Sequence, residues 1–87
     1  MRTDVEDKLE KDKLELRNLD RRLWNAEHTY RSNKGELADE IRSHAESHMI
    51  RTRRKNVEYW KGQIEKFEGK IFLHCLQTGL DQPRAWN

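Results

Sequence analysis

Glu40, His44 and His48 can all ligate a metal, and they recur at i, i+4 and i+8. On a helix that spacing lets two imidazoles share one ion. The pattern stops short of a metal centre. The sequence has no His-Glu-x-x-His arrangement, His28 and His74 are remote from the group, and the single cysteine, Cys75, has no companion thiol. The expectation is surface or seam histidines and not a metal site. Nucleophilic chemistry fares no better. Ser32, Ser43 and Ser47 lack a glycine-rich elbow, and the carboxylates are spread among lysines and arginines at helical pairing distance. The four glycines are scattered and form no phosphate loop. The sequence predicts no enzymatic activity, no metal and no cofactor.

The charged residues point to binding instead. The formal net charge of +2 is unevenly distributed: residues 1–31 sum to zero, 32–50 to −2, 51–70 to +4 and 71–87 to zero. Arg51, Arg53, Arg54 and Lys55 make a basic segment able to meet an acidic partner or a nucleic-acid backbone through counterion release. It is followed by the stripe Val57, Trp60, Ile64, Phe67, Ile71 and Cys75, and a basic run before an apolar repeat is the order that bZIP proteins use. The asparagine and paired alanines that bZIP basic regions present to bases are missing, so specific base readout is not implied. A solvated helix face is the plainer meaning of the segment.

These residues must be positioned by helices. In 87 residues, 33% are hydrophobic and 39% are charged. That composition suits long helices that bury a narrow seam, and a core this thin leaves little to stabilise a monomer. A lone cysteine excludes an intrachain disulfide and fits a reducing compartment. No apolar run approaches the roughly 18 residues of a membrane span, and Met1-Arg2-Thr3-Asp4 lacks the apolar core of a signal peptide. The expectation is a cytoplasmic protein with no membrane contact.

Along the chain, Thr3-Asp4-Val5-Glu6 has the form of a capping box. Val5, Leu9, Leu16, Leu19, Leu23, Ala26 and Tyr30 then follow a heptad whose only misfit is Asp12. Asn33, Glu36 and Gly35 together suggest a break, giving helix 3–31, a turn at 32–35, a long helix 36–78 and a tail 79–87. The rival is a continuous helix, because Leu37 falls seven residues after Tyr30 and keeps the phase. Ile41, Ala45 and Met49 drift against a strict heptad, so a bend near residues 51–56 is a further expectation. Thr78-Gly79-Leu80 reads as a glycine C-cap, and Pro83 prevents the helix from resuming.

The fold class is all-α: a long, antiparallel, coiled-coil-like helical hairpin that dimerises into a bundle. With the turn at 32–35, a first helix of roughly 42 Å faces a second of roughly 67 Å. Ile64, Phe67, Ile71, Phe72 and Leu76 would then lack an intrachain partner, and the stripe Val57 to Cys75 would serve self-association. Leu14 and Trp24 fall off the seam, and Trp86 lies in the tail. Tryptophan carries much binding energy at interfaces, which makes these three candidates for contact with a partner. The functional expectation is a non-enzymatic protein that binds and modulates another macromolecule, as small adaptors and phage-encoded inhibitors do. Alternatives are a basic helical nucleic-acid binder using 51–55 and a purely structural coiled-coil subunit.

Overall fold

The structure, a computed structural model, describes residues 3–83. Among them are two helices and no strand: α1 (Asp4–Arg42) and α2 (Ser47–Thr78). They lie antiparallel in a rod of 64 × 25 × 17 Å. Thr3 caps α1, its Oγ1 accepting from the Glu6 amide at 3.2 Å, while Asp4, Glu6 and Asp7 lie in the positive first turn. At the other end Gly79, with φ 78°, closes α2 by donating its amide to the Cys75 carbonyl at 2.8 Å. Only glycine adopts that left-handed cap without strain.

The turn is not at 32–35. α1 runs unbroken through Gly35 to Arg42, and the chain reverses at residues 43–46. Asn33 does not cap a new helix. Its Nδ2 donates to the Thr29 carbonyl one turn back at 2.8 Å, and its Oδ1 is taken by Arg53. The reversal is built from backbone bonds of Ser43 to Asp39, His44 to Ile41 and Ala45 to Glu40, with His44 at φ 54°. No glycine or proline marks the spot, so no local composition betrays it. The bend expected near 51–56 is also absent, since α2 is continuous there. Ile41 and Met49, which drift off the heptad, are exposed beside the turn.

The seam is a heptad on both helices. On α1 it comprises Asp12, Leu16, Leu19, Leu23, Ala26, Tyr30, Asn33, Leu37 and Glu40; on α2, Ile50, Arg53, Val57, Trp60, Ile64, Phe67, Ile71, His74 and Thr78, all at least half-buried. Leu23 and Ile71 are fully buried at its centre with Cys75, flanked by Leu16, Leu19, Ile64 and Phe67. Val57, Trp60, Ile64, Phe67, Ile71 and Cys75, expected to serve self-association, thus pack against α1 of the same chain. Because α1 is eleven residues longer than the expected end at 31, it reaches the whole stripe, and the hairpin closes on itself. Phe72 and Leu76 do remain exposed, now with Leu73.

Candidate interaction surfaces

The heptad phase decides the role of every charged or aromatic side chain, because seam positions turn inward and the others face water. Arg53 falls on the seam. Its Nη1 lies 2.6 Å from Glu36 Oε2 and donates to Asn33 Oδ1 at 3.0 Å, while its Nη2 and Nε reach Glu40 Oε1 at 3.0 and 3.1 Å. Arg53 therefore leaves the basic segment and becomes a clamp across the hairpin near the turn. Glu40 Oε2 is buried with no hydrogen-bond partner, so the clamp satisfies only one of the two carboxylate oxygens.

A second polar layer lies toward the open end. His74, buried between the helices, places Nε2 2.9 Å from the Asp12 carbonyl and Nδ1 4.0 Å from Glu15 Oε2. A carbonyl only accepts, so Nε2 carries the proton and donates. The helical carbonyl of Asp12 has a second lone pair for this bond. It explains how a heptad position occupied by aspartate is tolerated: the backbone of that residue, not an apolar side chain, meets the opposite helix. Cys75 is buried beside this layer, with Sγ 3.8 Å from the Asp81 carbonyl. Burial, reinforced by the Asp81 charge, raises the thiol above its ordinary range and keeps it protonated and unreactive.

Glu40, His44 and His48 do not form a common helix face. Glu40 is in the clamp, His44 in the turn, and His48 on α2 with Nδ1 3.2 Å from Glu46. Among the described residues no group of three potential ligands is close enough to hold a metal ion. Among the described residues no helix is long and apolar enough to cross a membrane.

What remains for binding is the outside of the rod. On α2, Phe72, Leu73 and Leu76 form an outward apolar cluster at the open end, Leu76 being 69% exposed. Arg51, Arg54 and Lys55 are exposed near the turn. On α1, Leu14 and Trp24 are exposed, and the Trp24 ring lies against His28 with centroids 3.7 Å apart and planes at 43°. Trp86 lies outside the described residues. The tail segment Leu80 to Pro83 lies along Lys13, Leu16, Arg17 and Asp20 of α1, with Leu80 half-buried. Sequence reasoning missed the inward role of Arg53 and the seam histidine His74. Continuing the steps of three and four back from Ile71 and Phe67 would have found the first, and forward from Ile71 the second.

Comparison of the chain with protein-family models, with curated proteins and with solved structures finds no match, so no relative supplies a function.

Proposed function

We propose that this chain is a non-enzymatic, cytoplasmic helical hairpin that acts by binding another protein, in the manner of a small adaptor or inhibitor. The observation that carries this is the cluster of Phe72, Leu73 and Leu76, each more than half exposed on the outer face of α2 while the hairpin's own seam is filled by other residues. Phe72 and Leu76 are one turn apart and Leu73 lies between them, a compact anchor of the kind that a groove on a partner receives. Large apolar side chains grouped in this way mark contact sites more often than isolated ones do.

Self-association is left with the same cluster, because the stripe from Val57 to Cys75 is occupied within the chain. The test is affinity capture with tagged protein at high salt and with nuclease, run beside Phe72→Glu and Leu76→Glu, with light scattering on each. The expected result is a protein partner, or a dimer, that both substitutions remove while helicity and Tm stay unchanged. Retention of the same partners by both variants would overturn the proposal.

A further inference from the structure

Charge on α1 is sorted both along the helix and around it. Residues 1–31 are neutral as a string, but 1–15 sum to −2 and 16–31 to +2. Between Leu16 and Arg31 both carboxylates, Asp20 and Glu27, are half-buried at the flank of the seam, while Arg17, Arg21, Arg22 and Arg31 are exposed. The four guanidinium groups of that stretch are exposed, while its two carboxylates are only partly so, Asp20 in the groove with Arg17 and Asp81 and Glu27 beside Arg31 and Lys34.

Leu14, Arg17, Arg21, Trp24, His28 and Arg31 follow one another in steps of three and four on the side of α1 away from α2, so they form a single outward strip roughly 26 Å long. Arg17, Arg21 and Arg31 are exposed on this strip, and the acids at its flank, Asp20 and Glu27, have interactions of their own. In the middle of the strip stands Trp24, 52% exposed, its ring supported on one side by His28. Asn18 and Asn25 are exposed along its edge and can both donate and accept.

We infer that this strip binds single-stranded nucleic acid. Guanidinium groups spaced along a helix offer paired N–H donors to successive phosphates. An aromatic ring braced by a neighbour offers a face on which an unstacked base can lie, and cationic side chains interleaved with aromatic platforms are how single strands are held without sequence readout. An acidic protein would use the arginines but leave Trp24 idle, and a protein interface would need a broader apolar centre than Leu14 and Trp24 provide. A duplex keeps its bases stacked and presents no face to the ring. This surface is separate from the Phe72 cluster, and the inference does not depend on that cluster having a partner.

The experiment is fluorescence anisotropy of a labelled oligothymidine of about 12 nucleotides with the full chain, from low salt to about 150 mM. Binding should persist at the higher salt. Trp24→Ala should weaken it about tenfold and Trp24→Phe much less, because the ring face is what acts. Arg17→Gln and Arg21→Gln should each flatten the salt dependence by about 0.7 in log–log slope. All three positions are exposed, so circular-dichroism melts should coincide with the parent. No binding at about 150 mM salt overturns the inference. So does an affinity unmoved by Trp24→Ala, equal or tighter binding of a duplex of the same length, or equal competition by polyglutamate. Loss of binding in Arg51→Gln/Arg54→Gln with the α1 variants unaffected would move the site to α2 and overturn it as well.

Discussion

Replacing Arg53 by alanine tests whether the polar layer near the turn holds the hairpin or merely tolerates its own cost. The arginine serves two carboxylates and an amide, and only 28% of its side chain and 16% of that of Glu40 are exposed. Removing it strands the Glu40 carboxylate in the seam with one oxygen already unpartnered. Breaking a fully buried pair costs about 3–5 kcal/mol. Glu36 is half-exposed, and residual exposure of the pair lets water screen the orphaned charge, so the expected loss is nearer 2–3 kcal/mol, by order of magnitude. Arg53→Met with Glu40→Leu should behave oppositely. Both desolvation costs disappear and two apolar side chains enter the seam, so the double variant should equal or exceed the parent in stability. Urea denaturation followed by circular dichroism supplies the cycle, with Leu23→Ala as a yardstick at about 3–4 kcal/mol for a fully buried leucine. If Arg53→Ala loses less than about 0.5 kcal/mol, a typical surface effect, the clamp is not part of what holds the helices together.

The turn should respond to backbone chemistry: His44→Gly relieves a left-handed residue at φ 54° and should raise the urea midpoint by the equivalent of about 1 kcal/mol, while an unchanged or lowered midpoint would show that the imidazole is needed there. The Cys75 thiol should react with a disulfide reagent at pH 8 far more slowly in the folded chain than in urea. Its raised value means that the folded state holds this proton more tightly. The stabilisation is complete below the unfolded thiol's value near 9.0 and is lost as pH rises through the folded one; equal rates in both states would refute the burial argument.

Much of the hairpin was legible because its energetics are periodic. The heptad from Leu16 to Tyr30, the threonine cap and the glycine stop are local features, and each appears where the sequence places it. The turn was not legible for a physical reason. Asn33 and Glu36 resemble a capping pair, yet both are claimed by Arg53 twenty and seventeen positions away, a tertiary contact that no local rule contains. The true reversal uses Ser43 to Glu46, where ordinary helix-tolerant residues adopt a strained path because the two seams must meet. Misplacing the turn by about eleven residues shortened α1 and made a filled seam look like an open one. The candidate surfaces suffered accordingly: the stripe from Val57 to Cys75 turned inward, whereas Leu14 and Trp24 stayed outside because their phase depended only on the part of α1 that was read correctly.

The contrast between Arg53 and Arg21 shows why counting charges along this chain says little about what they do. Both are arginines in helices of similar composition. Arg53 stands at a seam position, so it is surrounded by the carboxylates of the facing helix and its charge is consumed within the fold. Arg21 stands on the opposite side of its helix, and the nearby acids Asp20 and Glu27 are drawn toward the seam flank. The stretch 16–31, whose formal sum is only +2, thus exposes four arginines, while the segment with a sum of +4 gives one of its arginines to the interior. The electrostatic field that a strand or an acidic partner meets is set by the exposed charges, since those are the ones that release counterions and steer encounter. In a two-helix rod with a core this thin, nearly every charge is either on the seam or fully outside it. One step of heptad phase therefore separates a stabilising clamp from a binding surface.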